Sequence, residues 1–328
     1  MKITRRNLLQ TGFWGSAAIA STVLRSEGVI ADIDRDKLNA TQSTESQTTS
    51  QNEGYIDAHV HVWTPDIKRY QLGHGYRKDQ MQPPSFTPKE LLAHAKPCGV
   101  SRIVLIQMSF YRFDNLYMLD TIRKYPGVFS GVAVINQNSN PEMEMRRLAR
   151  LGVRGFRIYP GNQGVDDWLD GSGMAKMWEC GAKENLSICH LVNPDALPSI
   201  DRMCRKFPET PVVIDHFARI GTDGIIRDQD VQELCGLAVH KRIAVKLSAF
   251  YALGQKQAPY LDLTPMIRRL LDAFGPERLM WATDCPFQVQ KGHTYRDSID
   301  LVLERLDFLS KYDRKWLLQK TAEQIFFS

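Results

Sequence analysis

Eight short runs of apolar and β-branched residues, separated by segments with helical spacing, limit the folds open to this chain. The runs cover residues 55–63, 102–108, 129–135, 153–159, 186–191, 211–216, 243–248 and 278–284. Between them lie segments whose apolar residues recur near every 3.6 positions, among them 88–95, 115–124, 141–151, 174–183 and 263–274. Thr87-Pro88 and Asn140-Pro141 each place a capping residue before a proline at the first helical position. Gly127, Gly152 and Gly275 sit where the chain turns back toward a strand. Strand and helix alternating eight times predicts an α/β fold, a parallel (β/α)8 TIM barrel. An open doubly wound sheet would need a glycine-rich phosphate loop after its first strand, and the sequence has none there.

In such a barrel the active site lies at the C-terminal ends of the strands. The candidates are therefore the last residues of each run. The first run ends Asp57-Ala58-His59-Val60-His61-Val62-Trp63. Residues two apart on a strand share a face, so His59 and His61 look the same way. Two such imidazoles make half of a metal site, or a pair of hydrogen-bonding groups aimed at a bound carbonyl. Later run ends supply Arg157 with Tyr159, His190, His216, Lys246 with Ser248, and Asp284. The other histidines, His74, His94, His240 and His293, fall in loops or on helices and read as surface or packing residues.

Arg157, Tyr159 and Lys246 are candidates for binding a substrate carboxylate or hydroxyls. The alternative for the charged ones is a structural ion pair, because a charge pointing into a barrel mouth needs a partner. The long connection from Trp63 to Phe86 carries Trp63, Tyr70, His74, Tyr76 and Arg77. A connection of that length reads as a lid, with Trp63 and Tyr76 offered to substrate, or else as a plain surface loop. The connection after Ser248, with Phe250 and Tyr251, is a second rim of the same kind.

His-x-His after the first strand, a histidine ending a middle strand and Thr-Asp-x-Pro after the last together resemble the amidohydrolase superfamily. The phrases Asp57-Ala58-His59-Val60-His61, Val213-Ile214-Asp215-His216 and Ala282-Thr283-Asp284-Cys285-Pro286 resemble its amidohydrolase-2 branch most. That branch includes a pyrone dicarboxylate lactonase and sugar-acid lactonases. The resemblance runs from Tyr55 to the C-terminus. It implies a hydrolase, and most directly one that opens a lactone by attack of water at the barrel mouth. Binuclear members of the superfamily carry a carboxylated lysine or a glutamate at the end of the fourth strand. Arg157, Ile158 and Tyr159 stand there instead, so no bridging ligand and no second metal are expected. His190 resembles the fifth-strand ligand of single-metal members, among them decarboxylases. That leaves a metal-dependent decarboxylase of aromatic acids as the second reading. A non-catalytic ligand-binding barrel is the third.

One divalent metal is expected on His59, His61, His190 and Asp284, a mixed N/O set that suits Zn2+. The metal would polarise the substrate carbonyl and lower the pKa of its water to about 7. Asp284 would take a proton from that water and pass it to the leaving group, and His216 would stabilise the oxyanion. In a metal-free site the histidines become the carbonyl polarisers and Asp284 remains the base. The alternative for Asp284 is a helix cap before Pro286, and for His190 a core histidine satisfied by backbone.

The N-terminal segment has a different character. Arg5-Arg6 precedes a modestly apolar run, Thr11 to Ala20, that contains Gly12, Gly15 and Ser16. Paired arginines before such a run resemble a twin-arginine export signal, here residues 1–31. The run is too short and too diluted for a comfortable membrane span. Residues 32–54 are polar, nearly free of large apolar groups, and read as a disordered linker. The barrel domain is then 55–328, and the expected destination is the periplasm through the twin-arginine machinery. Of the net charge of +5, the first 31 residues hold +3 (Lys2, Arg5, Arg6 and Arg25 against Glu27), leaving +2. So small a balance argues neither for nucleic acid nor for a membrane surface as a partner, and Arg157, Tyr159 and Lys246 make an anionic or hydroxylated small molecule the expected substrate. Self-association into a homo-oligomer stays open. The six cysteines show no Cys-x-x-Cys and read as small buried residues.

Overall fold

A computed structural model describes residues 54–161, 164–165 and 167–328. The expected export signal, and the expected linker up to its last residue, lie outside the described residues. The strands are β1 (Tyr55–Val60), β2 (Val100–Ile106), β3 (Phe129–Ala133), β4 (Val153–Ile158), β5 (Ser187–His190), β6 (Val212–Ile214), β7 (Ile243–Leu247) and β8 (Leu279–Trp281). They pair in sequence order and every pairing is parallel. Between β8 and β1 the seam is closed past the end of β8. His61 N donates to Cys285 O at 2.8 Å, and Asp284 N donates to His59 O at 2.9 Å. This is the (β/α)8 barrel that the alternation predicts.

The helices are α1 (Pro88–Ala95), α2 (Leu116–Lys124), α3 (Pro141–Ala149), α4 (Ser172–Glu184), α5 (Leu197–Lys206), α6 (Asp228–Gly236), α7 (Thr264–Phe274) and α8 (Tyr295–Asp300), followed by α9 (Lys311–Lys315) and α10 (Thr321–Phe326). Thr87 caps α1 reciprocally with Glu90, as the sequence predicts. Asn140 precedes Pro141 as expected but makes no side-chain cap. Among the described residues no helix is long and apolar enough to cross a membrane.

Two apolar layers follow from strand alternation. One lies between strands and helices. The other fills the barrel with Ile56, Ala58, Val104, Val132, Cys189, Val213, Ala244 and Met280, against Ala322 and Phe326 of α10. These interior positions fix which neighbours point into the mouth: Arg157 pairs with Cys189 in register, and Lys246 follows Ala244 by two. The predicted runs overshoot the strands at their C-terminal ends, by Asp215-His216 at β6 and Ala282 to Asp284 at β8. There the backbone leaves extended geometry to aim side chains. His216, Phe217, Ala218 and Arg219 form a turn with φ between 53° and 60°, and Asp284 has φ 66°. Non-glycine residues rarely adopt this conformation and persist in it mainly where function requires it.

Candidate active site

Asp57 sets the seam on which the site stands. A register shift between Asp57 and Val60 breaks the alternation of β1 and re-aims its side chains. Asp57 is fully buried and accepts from Thr283 N (3.0 Å), Thr283 Oγ1 (2.5 Å), Tyr295 Oη (2.7 Å) and His59 N (3.1 Å). Burial pushes its carboxyl up to about 6, and the hydrogen bonds oppose that rise. One side chain thus ties the segment bearing His59 to the segment bearing Asp284.

Around Asp284 three imidazoles converge. Its Oδ1 lies 3.2 Å from His61 Nε2, 3.7 Å from His59 Nε2 and 4.0 Å from His216 Nε2. Its Oδ2 accepts a 2.5 Å hydrogen bond from Tyr251 Oη. Burial alone would raise this carboxyl, but His216, His61 and His59 outweigh burial and hold it well below the usual carboxylate range. The His59 and His61 rings, 5.2 Å apart, share this neighbour, but through the irregularity of β1 and not through plain alternation, which would put His59 on the face opposite Ile56 and Ala58.

Hydrogen bonds on the far ring atoms assign the tautomers. His61 Nδ1 is 2.8 Å from Ile106 O, and a carbonyl only accepts, so Nδ1 carries the proton. Ser248 Oγ donates to Lys246 O and lies 2.8 Å from His216 Nδ1, so that nitrogen donates to Oγ. His59 Nε2 faces a donor, Arg157 Nη2, at 3.1 Å; its Nδ1 lies between the Lys246 ammonium at 3.3 Å and Asp215 Oδ1 at 3.4 Å, and with the Nδ1 proton directed at Asp215 the lone pair stays on Nε2. In the neutral rings all three Nε2 atoms therefore present lone pairs on the side of a carboxylate oxygen. Lone pairs crowded on an anion call for a positive charge between them. Arg157 supplies one such charge. The remainder of the donor set fits a divalent cation: His59, His216 and Asp284 each offer one ligand atom, all within 4.8 Å of one another among the described residues. For His59 to serve, Arg157 must give up its contact with Nε2.

Beneath the histidines lies a buried ion network. Asp215 is fully buried and meets Lys246 Nζ at 3.1 Å, Arg157 Nη2 at 3.2 Å and His59 Nδ1 at 3.4 Å. Its carboxyl lies well below the usual range: burial raises it, and Lys246, His59 and Arg157 overcome burial. Burial, and then the charge of Lys246, hold His59 well below the ordinary histidine value. His216 is lowered to about 4 by burial, with Asp284 and Asp215 opposing.

The expected site residues sort as follows. His59, His61, His216, Asp284 and Arg157 come together. His216 takes the place among the clustered donors that the sequence reading gave to His61 and His190. His190 is on the helix-facing side of β5, since its neighbour Cys189 belongs to the interior. The His190 ring packs between Trp168 and Trp178, at 5.9 and 5.6 Å, and its Nδ1 donates to Ile188 O. That is the core-histidine alternative: a one-residue error of phase moves a strand side chain to the other face. Lys246 has no exposed surface and takes the ion-pair alternative rather than a substrate contact. Trp63 is likewise fully buried, donating to Pro83 O, so it holds the lid and is not offered to substrate. Tyr159 is 43% exposed and Tyr76 half-buried at the rim. The sequence reading gave no role to Asp57 or Asp215. The signal was an acidic residue at an apolar strand, which is sustained only by partners.

The sequence profile of the family described as Amidohydrolase matches residues 56–327. The chain belongs to the amidohydrolase family. It is a hydrolase by that membership. An L-fucono-1,5-lactonase from Burkholderia ambifaria is 27% identical over 248 residues, covering 73% of this chain and 82% of that protein. A 4-sulfomuconolactone hydrolase from Rhizobium radiobacter is 26% identical, covering 71% of this chain and 76% of that protein. A crystal structure named for a 2-pyrone-4,6-dicarboxylic acid hydrolase, from Pseudomonas putida, matches with TM-score 0.68 at 26% identity. It covers 84% of this chain and 97% of that one.

Proposed function

We propose that this amidohydrolase opens a lactone by attack of water at the barrel mouth. The observation that carries the reading is the convergence of His59, His61 and His216 on Asp284 Oδ1, with Arg157 beside it. The similar proteins named as a lactonase and a lactone hydrolase supply the substrate class.

Asp284 is the base. It is ionised at any working pH, and Tyr251 holds Oδ2 so that Oδ1 faces the histidines. Oδ1 takes the proton from the attacking water and returns it to the ring oxygen as the ester bond breaks. Arg157, fixed by Asp215, is a positive donor beside the place where the carbonyl oxygen gains charge. His216 has its Nδ1 proton committed to Ser248, so we assign it to cation binding rather than to hydrogen bonding an oxyanion. A divalent cation on His59, His216 and Asp284, zinc by the mixed donor set, would supply carbonyl polarisation and a more acidic water. The decarboxylase reading rested on His190 as a ligand, and His190 faces Trp168 and Trp178 instead.

The test is proton release from a panel of sugar-acid and muconate-derived lactones by purified protein and by Asp284→Asn. Turnover by the first and not by the second supports the reading. Carbon dioxide release from aromatic acids with lactones left intact would sink it, and complete inertness on both panels would leave a non-catalytic barrel. Export by the twin-arginine route is a further part of this reading, carried by Arg5-Arg6 and the run after them. Replacing both arginines by lysine should retain the protein in the cytoplasm on fractionation; periplasmic protein from that variant would count against it.

A further inference from the structure

Tyr251 directs the Asp284 carboxylate, and Tyr251 stands on a turn that must itself be held. That turn, Phe250–Ala252, follows β7 and is entered through Ala249 with φ 58°. Tyr251 Oη donates to Asp284 Oδ2 at 2.5 Å, while its ring meets the ring of His293 at 6.2 Å, tilted by 60°. His293 comes from a different connection, the one between β8 and α8. By sequence it reads as a surface or packing histidine. In the structure it is half-buried and touches two tyrosines of the connection between β7 and α7.

The second of these is Tyr260, fully buried, whose ring stacks on the imidazole at 5.9 Å and 23°. Hydrogen bonds orient the stack. Gln288 Nε2 lies 2.9 Å from Thr294 O, and a carbonyl only accepts, so the amide nitrogen is on that side. The same Nε2 donates to Tyr260 Oη at 2.9 Å. The phenol therefore receives from Gln288 and gives its own proton to His293 Nδ1, 2.8 Å away. Burial keeps that proton on the phenol, pushing the Tyr260 pKa up to about 12. His293 Nδ1 is thus an acceptor, and the neutral ring carries its proton on Nε2. The backbone is bent to put the ring there. Tyr260 has φ 61°, Lys291 φ 55° and Gly292 φ 87°, and His293 N donates to Gln290 O at 3.1 Å to close the turn.

We infer that His293 is a positioning residue for the base: anchored by Tyr260 and Gln288, its ring limits the swing of Tyr251, and Tyr251 in turn keeps Asp284 Oδ1 toward the histidines. The contacts from Gln288 through Tyr260, His293 and Tyr251 to Asp284 join the β7 and β8 connections into one clamp. A carboxylate rotates about its Cβ–Cγ bond and exchanges its two oxygens. A phenol bonded to Oδ2 stops that exchange only while the phenol itself stays in place. The effect on rate rests on Asp284 as the base of the lactonase reading; the clamp itself does not.

Two measurements on the purified protein test this. The first is a double-mutant cycle on lactone turnover. His293→Ala should lower kcat roughly fivefold with KM unchanged, less than the fall of about tenfold expected of Tyr251→Phe. Added to Tyr251→Phe, His293→Ala should lower kcat no further, because the ring acts through the hydroxyl. A merely structural histidine would lower both backgrounds alike, so equal losses in the two, or no loss in either, would overturn the clamp. The second needs no turnover. A proton in a short phenol–carboxylate hydrogen bond resonates far downfield in the proton NMR spectrum. The unaltered protein should show one such signal that Tyr251→Phe lacks, and in His293→Ala it should move upfield or broaden through exchange with water. A signal unchanged in His293→Ala, or no Tyr251-dependent signal at all, would overturn the clamp. His293→Asn keeps an acceptor for Tyr260 but no ring beside Tyr251, and should behave as His293→Ala does; full activity and an unchanged signal in that variant would show that the ring does not hold Tyr251. The expected signals in a protein that opens no lactone would sink the lactonase reading and keep the clamp.

Discussion

The ammonium of Lys246 lies 3.1 Å from Asp215 Oδ1, with neither side chain exposed to solvent. The same ammonium is 3.3 Å from His59 Nδ1, and Asp215 also holds Arg157. The pair is thus a foundation under the site, not a part of its surface. Charges taken this far from water are tolerated only while paired. Lys246→Met should destabilise the barrel by about 3–5 kcal/mol, because Asp215 loses its shortest ionic contact. Pairing that change with Asp215→Asn should recover a large part of the loss. Urea unfolding of the single and double variants measures both, and a single-variant loss under about 1 kcal/mol would show that the pair is not what holds Asp215.

Tyr251 and Asp284 separate orientation from chemistry. Asp284→Asn keeps the shape and removes the base, so kcat should fall by about 10²–10⁴-fold with the melting temperature little changed. Tyr251→Phe leaves the carboxylate ionised but frees Oδ2, which now accepts from Tyr251. Its expected signature is a smaller fall, roughly tenfold, in kcat with KM unchanged. A rise in KM alone would instead mark Tyr251 as a substrate contact.

The barrel was legible because its signal is periodic and repeated. Parallel strands buried on both faces must be apolar, and the helices between them must show one apolar stripe. The mouth was legible only in part, and the misses have one cause. Functional side chains stand where strands end and regular alternation stops. His190 illustrates it: counting the last residue of β5 as inward put it in the mouth, while the interior position is Cys189. Lys246 shows a second limit. Its face was read correctly, but the depth of burial depends on Asp215 from a different strand, and a single sequence does not announce that pairing. Arg112 shows a third. Nothing in its neighbours signals the positive φ that it adopts at the end of the turn after β2.

The buried position of His190 has a pH signature. Burial lowers its pKa to about 4, against an ordinary value of 6.5. Between these values the unfolded chain takes up a proton that the folded chain refuses, so stability is full above pH 6.5 and is lost as pH falls toward 4. One residue shifted this far contributes about 2 kcal/mol of loss between pH 7 and pH 5. His59 and His216 shift in the same direction, so the useful quantity is a difference. His190→Phe, which fits the same tryptophan-lined place, should lose about 2 kcal/mol less stability over that interval than the unaltered protein. Equal losses in the two proteins would mean that His190 takes up its proton in the folded state as readily as in the unfolded one.

Metal content discriminates the two histidine arrangements most directly. The donors that cluster are His59, His216 and Asp284, whereas the sequence alone pointed to His190 as a ligand. Protein purified without added metal and then dialysed against zinc should hold about one zinc per chain by elemental analysis. His216→Ala should hold much less, since it removes one of three converging donors, and His190→Phe should hold as much as the unaltered protein. A loss in His190→Phe equal to that in His216→Ala would require the β5 ring to turn into the barrel and would restore the single-metal decarboxylase comparison. A fourth variant reports on competition for His59. Arg157 Nη2 lies 3.1 Å from the His59 lone pair that a cation needs, and its positive charge opposes a second one nearby. Arg157→Met should therefore bind zinc more tightly than the unaltered protein while opening lactones more slowly. That opposite movement of affinity and rate is what distinguishes a residue that acts on the reacting carbonyl from one that merely braces the metal site.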